Sequence, residues 1–188
     1  MKKETIYEIF SNIPSLRTER LTMRALRELD AEDMFEYAKN PEVTKYLLWR
    51  EHKSLAFTKE YLAYIESRYA LGDFYDWAIT LTDSGKMIGT CGFTKIDTVN
   101  NQAEIGYVLN PAYHHMGIAV EAAGAVMKFG FDTLALHRIE AKFMEGNDAS
   151  RAVMERLGMT FEGFERDSVF VKGSYVTVGK CAKLASDR

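Results

Sequence analysis

A mixed α/β domain, with a sheet that is antiparallel in most places and parallel in one, is what the 188-residue sequence predicts. Three patterns carry that expectation. Over residues 102–109, Ala103, Ile105, Tyr107 and Leu109 alternate with Glu104, Gly106 and Val108, the period of a strand with one buried face. From Ile118 to Leu134 the apolar residues fall at helical spacing, and 138–143 alternates again. Strand, helix and strand then form a βαβ unit with parallel strands. Two stretches, 74–96 and 160–184, each hold a pair of alternating runs about a turn, which reads as an antiparallel hairpin. The expected order is β-α-α-β-β-β-α-β-α-β-β, in one domain spanning residues 1–188.

The elements follow in chain order. Residues 1–15 show no clear period, and 16–24 reads as the first strand, with Leu21 and Met23 on one side. Asp30 and Asp33 mark a helix start, with Met34, Phe35 and Ala38 as its apolar stripe. Asn40-Pro41 repeats the start signal for a short helical piece through Val43 and Tyr46. Ser54 caps the next helix, in which Phe57, Tyr61, Ile65 and Tyr69 form a stripe expected to pack as core, and Gly72 lies beyond its end. Asp83-Ser84-Gly85-Lys86 turns the first hairpin, and Asp97 to Asn101 is a polar turn into the strand carrying Glu104. Asn147 caps a helix lined by Ala149, Val153, Met154 and Leu157 and closed by Gly158. Lys172-Gly173-Ser174 turns the last hairpin.

Composition narrows the function. Hydrophobic residues make up 47% and charged residues 27%, enough for one well-cored domain, and 24 basic against 27 acidic residues give a net charge of −3. With no basic block, nucleic acid is not an expected partner. No signal-like or membrane-spanning apolar run is present, so a cytoplasmic protein with no membrane partner is expected. Cys91 and Cys181 stand far apart and outside any CxxC pair, so they are read as reduced strand thiols. His114, His115 and His137 have no accompanying acid or cysteine set, and adjacent histidines on an extended segment point apart, so no metal is expected.

The most informative stretch is 104–119, where a strand ends at Asn110-Pro111 and a helix opens near Gly117. A helix start approached by a residue without a side chain suits a phosphate, because free amides and the positive end of the dipole point the same way. If the two parallel strands of the βαβ unit splay, the gap exposes unpaired backbone groups to which a ligand carrying amides is a natural partner. Pantetheine, with two amides and a pyrophosphate at one end, fits a strand edge followed by a helix N-terminus, though other ligands are compatible with the same features.

These residues resemble the GNAT acetyltransferase family, and within it the branch that includes the ribosomal-protein N-terminal acetyltransferases. Leu16-Arg17-Thr18-Glu19-Arg20-Leu21 is similar to the opening strand of that branch. Asn40-Pro41-Glu42-Val43 matches its first helical insertion, and Ala103-Glu104-Ile105-Gly106-Tyr107 with Leu109 and Pro111 its central strand. Gly117-Ile118-Ala119-Val120-Glu121-Ala122 corresponds to the coenzyme loop and helix. His137 to Ala141, Asn147 with Ser150, and Glu155 to Met159 with Glu162-Gly163 complete the signature. The resemblance implies the splayed-sheet GNAT fold and acetyl-CoA as co-substrate. It implies Val108, Leu109, Asn110, His115, Met116, Gly117, Ile118, Ala119 and Asn147 as coenzyme-binding positions. The sequence departs from the family loop at His114, His115 and Met116, where a bulky or polar residue, a glycine and a basic residue are usual, and at Thr177, where an acid is frequent.

Acetyl transfer to an amine needs a neutral amine, a polarised thioester carbonyl and a tolerable thiolate. For the carbonyl, a backbone N–H at a strand bulge around Leu109 is the candidate donor, the alternative being an ordinary ladder amide. Glu104, turned opposite to Ile105 and Tyr107, is the candidate base, or equally a solvent-facing strand residue. Ser150 is the candidate acid toward the coenzyme sulfur, with Asn147 holding pantetheine; plain capping accounts for the same two residues. Tyr107 and Tyr175 are spare donors. Asp73, Asp76 and Glu51, with Trp49 and Tyr75, line an acceptor pocket for a cationic amine or form a solvated rim. The expected activity is N-acetylation of a peptide N-terminus or small-molecule amine by direct attack, by a monomer or homodimer. The rivals are a non-catalytic acyl-CoA-binding module and a nucleotide-binding domain of another kind.

Overall fold

The computed structural model describes residues 3–187. Its helices are α1 (Lys3–Phe10), α2 (Ala31–Ala38), α3 (Pro41–Thr44), α4 (Leu55–Ala70), α5 (Ile118–Asp132) and α6 (Asp148–Arg156). Its strands are β1 (Leu16–Arg17), β2 (Leu21–Arg24), β3 (Asp76–Leu81), β4 (Met87–Asp97), β5 (Gln102–Leu109), β6 (Arg138–Met144), β7 (Thr160–Val171) and β8 (Ser174–Leu184). The strands form one sheet in the order β1-β2-β3-β4-β5-β6-β8-β7. Among the described strands only β5 and β6 run parallel, joined by α5 as the βαβ pattern requires.

Alternation decides which face each strand residue serves. Trp77, Ile79, Cys91, Ile105 and Leu109 meet Ala122, Ala123 and Val126 of α5 in one core, to which α1 adds Phe10 and α6 adds Met154. On the opposite face, Ala78 and Met87 pack with Met34 and Tyr37 of α2 and Leu62, Ile65 and Tyr69 of α4. Both cysteines are free thiols buried among the strands. Strands β2 to β5 are therefore packed on both faces, whereas β7 is largely exposed.

Four local readings change. Residues 3–10 are helical, with Ile6 and Phe10 as the buried pair. Two positions one turn apart are too few to register as a period. The first strand is interrupted, because the Thr18 hydroxyl accepts the Leu21 amide (3.0 Å) and closes a turn between β1 and β2. Asp30 stands at the α2 N-cap, but its carboxylate grips the Arg24 guanidinium (2.7 and 2.8 Å) and the Arg27 amide (2.9 Å) instead of capping the helix. The stripe on α4 is only half core. Thr58, Leu62, Ile65 and Tyr69 are its buried residues, whereas Phe57 is about half exposed and Tyr61 lines a cavity. A strict four-residue repeat drifts around a 3.6-residue helix, so its N-terminal members leave the core face.

Candidate active site

The site begins where β5 and β6 part. They pair only from Gln102 with Arg138 to Ile105 with Ala141, while β5 runs on to Leu109 and β6 to Met144. The Asn110 amide donates to Ile88 O at 2.7 Å, continuing the antiparallel register in which Val108 faces Thr90 and Leu109 faces Gly89. Backbone groups on an antiparallel strand alternate between its two sides. Val108 and Asn110 therefore turn their amides to β4, and Tyr107 and Leu109 turn theirs to the gap.

One expectation is corrected by this register. There is no bulge around Leu109; the register breaks on β4 between Phe93 and Lys95, leaving Thr94 as the extra residue. The splay alone aims the Leu109 amide. Asn110 is buried and spent: its Oδ1 accepts the Ala112 amide (3.0 Å) and its Nδ2 donates to Glu36 Oε1 (2.9 Å). These bonds end β5 and start the loop. Val108 lines the cavity.

The loop after β5 prepares the start of α5. Gly117, the N-cap, has φ 75°, and no side chain caps the helix. The amides of Ile118 and Ala119 thus lie at an uncapped helix end, while the Ile118 side chain is buried in the core. His115 adopts φ 61° although it is not glycine, so the left-handed turn is kept with a side chain on it. Its ring stands near the His114 ring, whose Nε2 meets Leu109 O at 3.1 Å. Met116 is exposed and brings no charge.

A cation arrives instead from β1–β2. Arg20 donates to Met116 O at 2.9 Å, and its guanidinium pairs with Glu121 at 2.6 Å. Burial works against the Glu121 charge, but the Thr18 hydroxyl and the Arg20 amide and side chain together hold its carboxylate below the usual range. Sequence reasoning missed Arg20, and no local pattern ties residue 20 to residue 116. A gap with unpaired amides, followed by an open helix start with a cation beside it, fits the amides and pyrophosphate of coenzyme A.

The gap opens into a cavity of about 1000 Å³. Glu104 enters it from the α2/α4 face; its carboxylate accepts the Thr94 hydroxyl (3.1 Å) and pairs with Lys142 of β6 (3.2 Å). Ser150 enters from the α5/α6 face, its Oγ 3.0 Å from the Tyr107 hydroxyl, which also donates to Ser150 O at 3.0 Å. Burial pushes the Tyr107 phenol well up, despite the Ser150 hydrogen bond, so it stays protonated. Asn147 caps α6, its Oδ1 accepting the Ser150 amide at 3.3 Å, which leaves its amide nitrogen for another partner. The structure thus joins Glu104, Ser150 and Asn147 on one cavity, and places the loop from His115 to Ala119 beyond the far end of β5.

The other cavity wall holds all five residues suspected of acceptor contact, Trp49, Glu51, Asp73, Tyr75 and Asp76. Trp49, His52, Phe57 and Tyr61 form a cluster of rings, with His52 at its centre hydrogen-bonded to the Thr58 hydroxyl at 2.9 Å. Burial lowers the His52 pKa, favouring the neutral ring. Thr177, at the position where an acid was noted as frequent, accepts the Asp167 amide through its hydroxyl at 3.2 Å. Among the described residues, no group of three His, Cys, Asp or Glu side chains is arranged to hold a metal ion.

A split parallel pair beside an open helix start, with an acid and a hydroxyl lining one cavity, fits an acyl-transfer site. The comparisons with known proteins agree. Residues 20–160 match the acetyltransferase (GNAT) domain. An uncharacterised N-acetyltransferase of Bacillus licheniformis is 35% identical over 164 residues, covering 87% of this chain and 92% of that one. A putative ribosomal N-acetyltransferase of Bacillus subtilis is 31% identical over 159 residues, covering 84% and 87%. The crystal structure of a GNAT-family acetyltransferase from Bacillus anthracis superposes with a TM-score of 0.83 at 28% identity, covering 92% of this chain and 99% of that one. The chain belongs to the GNAT acetyltransferase family and is an N-acetyltransferase.

Proposed function

We propose that this enzyme transfers the acetyl group of acetyl-CoA to a primary amine, on a peptide N-terminus or a small molecule, by direct attack within a ternary complex. The observation that carries the reading is the gap where β5 and β6 part, at whose cavity Glu104 of β5 meets Ser150 and Asn147 from the start of α6. Acetyl-CoA supplies the thioester. Tyr107 and Leu109 present backbone groups for the pantetheine amides, and the α5 start with Arg20 takes the pyrophosphate.

Each residue then has one task. The Leu109 amide, fixed by the strand, donates to the oxygen on which charge develops. Glu104 takes the proton of the attacking amine directly or through water, with Lys142 and Thr94 holding its carboxylate in place. The carbon–nitrogen bond forms as the carbon–sulfur bond breaks, and Ser150 Oγ, accepting from a Tyr107 hydroxyl that turns to it from Ser150 O, donates its own proton in a hydrogen bond to the departing sulfur. No metal takes part in this scheme. The same site serves a monomer or a homodimer.

The test is thiol release from acetyl-CoA across protein N-termini, free amino acids, polyamines and aminoglycosides, with product mass confirmed. Turnover with a primary amine supports the reading. Tight coenzyme binding without turnover on any acceptor would make the chain a binding module instead.

A further inference from the structure

Tyr37 of α2, His52 of the loop before α4 and Tyr61 of α4 line the cavity that Glu104 and Ser150 share. Tyr37 is only 2% exposed and His52 7%. The His52 amide donates to Ala38 O at 2.9 Å, and the His52 ring lies 5.5 Å from that of Tyr61, so the loop is held between the two helices. Tyr37 is close enough to Tyr61 for the two phenols to influence each other's charge. Among the described residues, the Tyr37 and Tyr61 hydroxyls and His52 Nε2 form no hydrogen bond, whereas the one fully enclosed polar side-chain atom without a partner is Asn101 Oδ1. The three atoms are therefore not sealed inside the protein. Each opens onto the cavity that its residue lines.

What these atoms can bind follows from their donors and lone pairs. The Thr58 hydroxyl donates to Ser54 O at 3.3 Å, so at 2.9 Å from His52 Nδ1 it accepts that nitrogen's proton. Nε2 of the neutral ring then carries a lone pair and can only accept. Burial favours the neutral imidazole and pushes both phenols up, Tyr61 to about 12, so each hydroxyl keeps a proton to donate. A group that satisfies all three brings an oxygen for the phenols and an N–H for the imidazole. A carboxylate has no N–H and would stand against Asp76 on the same wall. An ammonium has no lone pair for the phenol protons, and an alkyl group leaves all three atoms unpaired once water is displaced. A neutral carboxamide supplies both the oxygen and the N–H, in a plane that suits the Trp49 and Phe57 rings flanking His52.

Resting on the acetyltransferase reading, we propose that Tyr37, His52 and Tyr61 form a specificity subsite that takes a carboxamide carried by the acceptor amine. The acceptor touches these three residues, and none of them moves a proton in the reaction.

The experiment measures thiol release from acetyl-CoA by the full chain with ω-amino carboxamides of increasing length and with the alkylamines, ω-amino acids and diamines that match them, for the wild type, Tyr37→Phe and Tyr61→Phe. The expected result is one carboxamide preferred over its alkylamine by about tenfold or more in kcat/KM, because a site built to hydrogen-bond discriminates against a ligand that leaves its polar groups unpaired. Each Tyr→Phe change should cut that preference severalfold through KM, with alkylamine kinetics and coenzyme affinity unchanged. Equal use of carboxamide and alkylamine by the wild type, a preference for the amino acid or the diamine, or a carboxamide preference that survives in both variants would each overturn the proposal. Tyr61 is only half-buried, so Tyr61→Phe keeps the test open should Tyr37→Phe fail to fold. If no acceptor is acetylated, the acetyltransferase reading fails separately. Calorimetry of the same carboxamides then decides the subsite, with binding weakened severalfold in the variants expected, and equal binding or none overturning it.

Discussion

Replacing Asp76 by Asn should stabilise the free protein, and only above acid pH. Burial is the largest influence on this carboxyl, outweighing the Thr90 and Trp77 hydrogen bonds, and it raises the pKa from 3.8 to about 7. A folded pKa above the unfolded one means that the native state binds the proton more tightly. Below about pH 4 both states are protonated and the site costs nothing. Between about pH 4 and 7 the unfolded state ionises first, so stability falls as pH rises, and above about 7 the full cost is present. Three pH units correspond to about 4 kcal/mol. The carboxylate borders an open cavity, so screening by water reduces this to about 1–3 kcal/mol. The groups facing it (Tyr37, Tyr61, Tyr69 and Thr90) do not ionise in that range, the Tyr61 phenol being itself pushed up to about 12 by burial and by Asp76. At about 2–4 °C per kcal/mol for a chain of this size, the Asn variant should melt about 3–10 °C above the wild type at pH 8. At pH 4 the two should coincide. Calorimetric or circular-dichroism melts at both values decide it. A difference that is the same at both values, or a less stable variant at pH 8, would refute a buried and uncompensated carboxylate.

Glu104→Gln should lower kcat/KM about hundredfold. The loss should be greatest at low pH and shrink as the acceptor's own free-amine fraction rises, read from a pH–rate profile. Ser150→Ala should reduce turnover about tenfold with the Kd for coenzyme A unchanged, since the Tyr107 hydroxyl and the Asn147 cap remain; stopped-flow turnover with calorimetric binding separates the two. Gly117→Ala, forced to hold φ 75° with a Cβ, should cost about 1 kcal/mol and lower the Tm by about 2–4 °C. It should also weaken coenzyme binding severalfold, as measured by titration, because the backbone that approaches the pyrophosphate is the part under strain.

What the sequence revealed and concealed divides along a physical line. Period-2 and period-3.6 patterns record burial, so β3 to β6, α5 and the closing hairpin were legible from Trp77, Ile105, Val126 and their neighbours. The parallel placement of β5 and β6 followed from the handedness of the crossover. Short elements carry too few residues to show a period, which is why α1 and the break at Thr18 were not. Phe57 and Tyr61 show the limit of pattern itself: a ring facing a cavity and a ring facing a core have the same sequence signal. Glu104, Ser150 and Asn147 were found because each sits in a recognisable local frame, a strand face or a helix cap. Arg20 and Lys142 were missed as partners because an ion pair between distant elements leaves no mark on either segment. Asp76 is the sharper case. In sequence it is one of several acids before a strand, interchangeable with Asp73. Only the strand register separates the acid that meets a neighbouring arginine from the one that stands opposite Gly92 with no ion pair among the described residues.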